Sequence, residues 1–121
     1  MKPMIHVFLC DDDGQRFFGE GPYRLLTEVD ASGSLRQAAI RMEMAYTKAL
    51  KLLQRAETAL GCTLIERKTG GKGGGGSRLT AEAKELVHRY EQYRFACFTA
   101  GSRIFDEYFP QQRQTTPDPD R

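Results

Sequence analysis

The segment AYTKALKLLQRAETAL, residues 45–60, restricts the possible folds of this chain more than any other stretch. Its apolar residues recur at intervals of three and four, which places them on one face of a helix. They are Tyr46, Ala49, Leu50, Leu53, Ala56 and Leu60. The opposite face carries a cationic stripe of Lys48, Lys51 and Arg55, and Gly61 is suited to the left-handed cap that ends a helix. Such a helix fits a DNA major groove, but on its own it is more typical of an ordinary solvated helix, so the neighbouring segments must decide.

A shorter helix is predicted directly before this one, at residues 35–41. Ser34 and Gln37 match an S-x-x-Q capping box, in which each side chain bonds a free backbone N–H at the helix start. Its inward-facing residues are Leu35, Ala38 and Ala39. Residues 42–44 then form a short connection. Helix, turn and helix over residues 34–60 is the helix-turn-helix pattern, whose second helix lies in the major groove with its first residues at base edges.

A β-hairpin is predicted at the N-terminus, over residues 4–18. Residues 4–10 alternate around apolar positions like a strand, and an Asp-Asp-Asp-Gly turn and a short return strand follow. The three aspartates do not match a calcium-binding loop, because Gln15 and Arg16 stand where that loop needs an oxygen ligand and a glycine. A solvated turn is therefore favoured.

A first helix is predicted between this hairpin and the helix-turn-helix. Pro22 is well placed in its first turn, and Gly33 is suited to its C-terminal cap. Its apolar face consists of Tyr23, Leu25, Leu26 and Val29.

A second hairpin is predicted after the cationic helix. Residues 63–68 read as a short strand, TGGKGGGGS at residues 69–77 as a flexible loop, and Arg78-Leu79 as the return strand. The glycine run does not match a P-loop, because Lys72 is followed by glycine instead of serine or threonine. A hairpin at this place is the wing of a winged helix, and a glycine-rich tip can approach the DNA backbone closely. The alternative is a loop without a role.

The last predicted element is a long helix over residues 81–108, capped by Thr80. Its far half carries aromatic residues that a monomer would expose: Phe95, Phe98, Phe105, Tyr108 and Phe109. Large exposed apolar surfaces mark interfaces, so this helix predicts a homodimer. Gly101 predicts a break or kink within it. Residues 110–121 predict a disordered tail.

Charge and composition narrow the class of protein further. Residues 34–94 hold twelve basic and six acidic residues, which suits binding to a polyanion. No apolar run is long enough to span a membrane and no signal peptide is present, so we expect a cytoplasmic protein. Three scattered cysteines and two histidines form neither a disulfide framework nor a metal site. No catalytic constellation is found either, so the sequence predicts neither an enzyme nor a cofactor.

Residues 19–86 resemble the N-terminal DNA-binding domain of the ModE family. Members of this family are molybdate-responsive transcriptional regulators. The stretches that carry the resemblance are TGGKGGGGSRLT (69–80), GEGPYRLLTEVDASGSLRQAA (19–39) and MAYTKALKLLQRAETALG (44–61). LGCTLIER (60–67) also looks like the end of a LysR-type helix-turn-helix. Ala45 stands where the family commonly has serine, and Leu50 where it often has tryptophan. The resemblance implies DNA binding by a winged helix-turn-helix.

Members of this family that respond to an effector carry C-terminal molybdate-binding domains. This chain has twelve residues after Phe109 and no such domain. We therefore expect a stand-alone single-domain regulator in preference to a truncated one. Molybdate sensing is not carried over, and the effector stays unknown.

The sequence thus predicts a mainly α fold with small β-hairpins: a winged helix-turn-helix with an N-terminal β-hairpin and a long C-terminal dimerisation helix. Its expected parts are residues 1–20, the hairpin; 21–80, the winged helix-turn-helix; 81–109, the dimerisation helix; and 110–121, the tail. The expected function is transcriptional regulation by a homodimer on double-stranded DNA. The residues predicted to contact DNA are Arg36, Gln37, Tyr46, Thr47, Lys48, Lys51, Arg55, Lys72 and Arg78. The alternatives are a protein-interaction module on the same scaffold and a regulator with a small-molecule ligand at the dimer interface.

Overall fold

Four helices and two antiparallel hairpins form the described part of the chain. The computed structural model describes residues 1–71 and 74–110, with side chains throughout except at residues 69–71 and 74–75. The elements in chain order are β1 (Leu9–Cys10), β2 (Arg16–Phe18), α1 (Glu20–Ser32), α2 (Leu35–Arg41), α3 (Tyr46–Leu60), β3 (Ile65–Gly71), β4 (Gly74–Leu79) and α4 (Ala81–Tyr108). β1 pairs with β2, and β3 pairs with β4. No helix within these ranges is both long and apolar enough to cross a membrane.

The helix ends follow the capping chemistry of the sequence. Gly33 and Gly61 end α1 and α3 with φ of 72° and 70°, in the left-handed region that favours glycine. The Thr80 hydroxyl accepts a hydrogen bond from the Ala83 N–H at 3.1 Å and so caps α4. These predicted caps are confirmed.

The predicted capping box of α2 is only half formed. The Ser34 hydroxyl accepts the Gln37 N–H at 3.1 Å, as expected. The Ser34 N–H, however, donates to the hydroxyl of Ser32 at 3.3 Å, and not to the Gln37 side chain. The left-handed turn at Gly33 brings the Ser32 hydroxyl next to that N–H, so the Gln37 amide is not needed there.

The core lies between α1 and the elements packed around it. α1 contacts α2, α3, α4 and β4. Its inward face is buried as predicted. Small residues are also buried on α2 and α3, where they allow close packing against the core: Ala38, Ala39, Ala49 and Ala56. Leu64 and Leu79 lie at the base of the second hairpin and are buried in the same core. The orientation of α3 is therefore determined by packing on its apolar face.

The N-terminal strand is shorter than the sequence predicts. The alternation over residues 4–10 predicts one strand, but only Leu9–Cys10 pair with β2. The preceding residues run along α4, where the Tyr90 hydroxyl donates to the Val7 carbonyl at 2.9 Å. Val7 and Leu9 are half-buried against the core. The alternation therefore reflects an extended segment with one side packed on a helix. A paired strand has the same period of two, so the sequence cannot distinguish the two cases.

The predicted break at Gly101 is wrong, because α4 is one helix from Ala81 to Tyr108. A Cβ at Gly101 would lie 2.0 Å from the Cδ1 atom of Ile5. The glycine therefore leaves room for the end of the Ile5 side chain against α4.

The second hairpin has longer strands than predicted. β3 extends to Gly71 and β4 begins at Gly74, with Arg67 opposite Ser77 and Glu66 opposite Arg78. Most of the predicted loop at residues 69–77 is thus strand. Lys72 and the predicted tail beyond Pro110 lie outside the described residues.

Candidate nucleic-acid interface

The outer face of α3 is exposed and basic. Lys48, Lys51 and Arg55 all face solvent, as does Thr47 in the first turn. Ala49, Leu53 and Ala56 are buried on the opposite face. The amphipathic pattern from which the helix was predicted is therefore realised in the fold, except at Leu60, which is exposed at the end of α3. Because the opposite face of α3 is packed into the core, the helix is fixed in place and its cationic stripe faces solvent as one rigid surface.

Tyr46 occupies the start of α3 and is half-buried. The guanidinium carbon of Arg36, on α2, lies 4.5 Å from the centroid of the tyrosine ring. The Nη2 atom of Arg67, on β3, donates to the Tyr46 hydroxyl at 2.9 Å. The structure therefore brings three separate elements together at this side chain, and two of the three residues were predicted to contact DNA.

Arg55 lies at the other end of the stripe. Nine residues of helix separate it from Tyr46, which is about 14 Å along the axis. Arg55 borders Arg16 and Phe17 of the N-terminal hairpin. It is thus not part of the cluster around Tyr46, and any contact that it makes with DNA is distant from that cluster.

The wing residues have different surroundings. Arg78 forms an ion pair with Glu66 at 3.0 Å, with side-chain exposures of 65% and 50%. The two residues are opposite one another in the β3–β4 register, which explains the pair. The charge of Arg78 is therefore partly compensated. Gln37 is exposed beside Arg36, and Lys72 lies outside the described residues.

Sequence reasoning missed Arg67 and Lys68. Both are exposed on β3, and both line a groove between the starts of α2 and α3 and the wing. Two adjacent basic residues directly before a glycine-rich turn could have indicated them. Their placement depends on where β3 lies relative to α3, and local sequence does not encode that.

The wing is attached to the body by a backbone contact. The Ser77 N–H donates to the Gly33 carbonyl at 2.8 Å. A Cβ at Gly76 would lie 2.9 Å from the same carbonyl oxygen. Gly76 is therefore required for this close approach between β4 and the turn before α2.

The carboxylates near α3 have structural roles. Glu57 accepts the Leu64 N–H at 2.8 Å, which connects the end of α3 to the base of the wing. Glu66 is paired with Arg78. No group of three or more histidine, cysteine, aspartate or glutamate residues suited to a metal ion occurs in the ranges that the structure describes.

Three groups with shifted pKa values, Tyr23, Tyr90 and Arg94, lie away from this interface, where α1 meets α4. Burial raises the pKa of Tyr23, and so does its hydrogen bond to Glu91. Burial likewise raises the pKa of Tyr90. The hydrogen bond to Glu20 raises the pKa of Arg94, whose guanidinium carbon lies 4.5 Å from the Tyr23 ring centroid. These groups join two helices, and the cationic stripe is not involved.

The geometry defines a winged helix-turn-helix: α2 and α3 are joined by a short turn, a β-hairpin follows α3, and the outer face of α3 is basic. The chain belongs to the lysR family of bacterial regulatory helix-turn-helix proteins, whose family model matches residues 22–84. This is a family of regulatory proteins, and no family of enzymes is indicated.

Two relatives confirm the resemblance to ModE over part of the chain. One is the molybdenum transport protein ModE of Herbaspirillum seropedicae, 44% identical over 73 residues, which cover 60% of this chain and 25% of that protein. Another is the transcriptional regulator ModE of Haemophilus influenzae, 40% identical over 68 residues, which cover 56% of this chain and 27% of that protein. The chain thus matches about a quarter of the length of these relatives.

A solved structure confirms the fold. The crystal structure of CbnR, a LysR family transcriptional regulator, matches 71% of this chain and 28% of that one. The TM-score is 0.54 at 20% sequence identity. At this identity the likeness concerns the fold alone.

Proposed function

We propose that this protein is a transcriptional regulator that binds double-stranded DNA as a homodimer. α3 lies in the major groove and the wing lies on the flanking groove. The observation that carries the proposal is the exposed cationic face of α3, held rigid by a buried apolar face within a regulatory helix-turn-helix. Such a surface is the electrostatic requirement for binding to phosphates, because neutralised phosphates release counterions.

The contact that each predicted residue makes with DNA depends on its distance from the start of α3. The first turns of the recognition helix face bases and nearby phosphates, through Tyr46, Thr47, Lys48 and Lys51. Arg55 contacts phosphate only. Arg36 and Gln37 anchor the start of α2 to the DNA backbone. Lys72 and Arg78 contact the flanking groove from the wing.

The homodimer forms through α4. Beyond its contact with α1, this helix carries aromatic side chains that a single protomer leaves exposed, including Phe95 at 70% and Tyr108 at 75%. Burying such surfaces against a second copy removes apolar area from water. A two-fold dimer implies a roughly palindromic site, with half-sites about one helical turn of DNA or a multiple of it apart.

The test combines selection of a binding site with a charge-reversal pair. Genomic fragments that the protein retains are sequenced and footprinted, and affinity for the selected site is measured by fluorescence anisotropy over a range of salt concentrations. The variant Lys48→Glu/Lys51→Glu should weaken binding strongly. Because each protomer of the dimer loses two lysines, the slope of log K against log[salt] should fall by about three to four, since each phosphate contact contributes about 0.9.

The matched control is Arg24→Glu/Lys84→Glu. It makes the same change in net charge at exposed positions on α1 and α4. This control should retain most of the affinity. Absence of DNA binding at low salt, or equal losses in the two variants, would contradict the proposal.

A further inference from the structure

A groove of about 340 Å³ lies where the starts of α2 and α3 face the wing. Its polar lining consists of Ser34, Arg36, Tyr46, Arg67, Lys68 and Ser77. Three of these residues are cationic, and none of the described residues that line the groove is acidic. Since like charges repel, a cationic cluster with no carboxylate in the lining of the groove favours an anion.

Tyr46 organises the two arginines of this groove. Arg36 lies over one face of its ring, with 4.5 Å between guanidinium carbon and ring centroid. Arg67 donates one N–H to its hydroxyl at 2.9 Å. A guanidinium has five donors, so each arginine retains donors for a ligand while its position is already restricted.

The same contacts limit what Tyr46 itself can do. One face of its ring is covered by Arg36, and its hydroxyl is already the acceptor for Arg67. Accepting a hydrogen bond from a base with the same hydroxyl would compete with Arg67, whereas the hydroxyl keeps its own proton to donate. The side chain therefore holds two guanidinium groups at once.

We infer that this groove binds one backbone phosphate of DNA, with Arg36 and Arg67 as its ligands and Tyr46 as the positioning residue for both. The planar fork of arginine matches the oxygens of a phosphodiester, and Lys68 adds a further positive charge at the rim. The inference rests on the proposed DNA binding. It adds Arg67 and Lys68 to the interface and assigns to Tyr46 a positioning role that supports affinity and register.

The experiment uses the full chain and its selected DNA site. Arg67→Ala should weaken binding by about tenfold or more, because it removes charge-assisted hydrogen bonds. The loss should be uniform over a panel of sites with single base-pair changes. The salt slope should fall by about two, because each protomer of the dimer loses one phosphate contact. Arg24→Ala, an exposed arginine outside the groove, is the matched control. A loss confined to one base pair, or no loss, would overturn the inference.

The positioning role has its own readout. Tyr46→Phe removes only the hydroxyl and should weaken binding by less than Arg67→Ala. In the Arg67→Ala background the same change should have no further effect, since the hydroxyl then has no guanidinium to hold. Additive losses would show that Tyr46 contacts DNA independently and would overturn its positioning role.

Inorganic phosphate distinguishes failure of this inference from failure of the proposed function. In NMR titrations of the free protein, phosphate should shift the Gly76 and Ser77 amides and the Nε signals of Arg36 and Arg67, and Arg67→Ala should abolish these shifts. Shifts without any DNA binding would refute the regulator and leave the anion site. DNA binding without shifts, and without loss in Arg67→Ala, would refute the anion site alone.

Discussion

Gly76→Ala tests whether the wing is positioned by its contact with the turn before α2. The added Cβ would lie 2.9 Å from the Gly33 carbonyl oxygen. Real Cβ atoms do not approach this closely, and the obstacle is backbone, which cannot rotate away as a side chain can. The Ser77 N–H donates to the same oxygen at 2.8 Å. The strand must therefore move outward, and the movement lengthens this hydrogen bond.

The expected magnitude follows from three effects. Forcing a methyl group into a packed contact costs about 1–3 kcal/mol. Loss of one backbone hydrogen bond costs about 1 kcal/mol more. Alanine is preferred over glycine inside a strand by roughly 0.5–1 kcal/mol, which offsets part of this. The free energy of unfolding should thus fall by about 2 kcal/mol, equivalent to a decrease in Tm of roughly 10 °C for a domain of this size.

The assay is urea and thermal unfolding followed by circular dichroism. Two glycine-to-alanine changes serve as controls. Gly21, in the first turn of α1, has open space at its Cβ position, so Gly21→Ala should be neutral or slightly stabilising. Gly101→Ala meets only the end of the Ile5 side chain, which can move, so its cost should be small. If Gly76→Ala were as stable as Gly21→Ala, the close approach of the wing to Gly33 would be refuted.

Two further predictions concern α4. Phe95→Glu/Phe98→Glu should convert a dimer to monomers in sedimentation equilibrium and weaken binding to a two-half-site DNA. The control Ala96→Glu, an exposed change on a different side of the same helix, should leave the dimer intact. A wild-type monomer at every concentration tested would contradict the proposed interface. Because the pKa of Tyr23 is raised in the folded state, its contribution to stability is fully present below about pH 10 and is lost as pH rises above that value. Tyr23→Phe should therefore flatten the alkaline decrease in Tm, and an unchanged decrease would contradict this linkage.

The fold was largely predictable because its main signals are local. Apolar spacing identifies the buried faces of α1, α2 and α3, and Gly33, Gly61 and Thr80 mark helix ends through interactions within one turn. The order of the elements along the chain, two helices joined by a turn and then a hairpin, is compatible with few folds. The interface was predictable only in outline: the stripe on α3 is exposed as expected, but the role of each predicted residue is not decided by exposure.

The sequence by itself determined the elements, their caps and the basic face of α3, because periodicity and capping act between residues a few positions apart. Only the tertiary structure decided which distant residues meet. Arg67 reaches Tyr46 across 21 positions, and Tyr90 bonds Val7 across 83. Gly101 predicted a helix break or kink from its intrinsic propensity, yet it lies inside one continuous helix with the Ile5 side chain packed against it. Such contacts depend on how whole elements pack, so the groove around Tyr46 becomes visible only when α2, α3 and the wing are assembled.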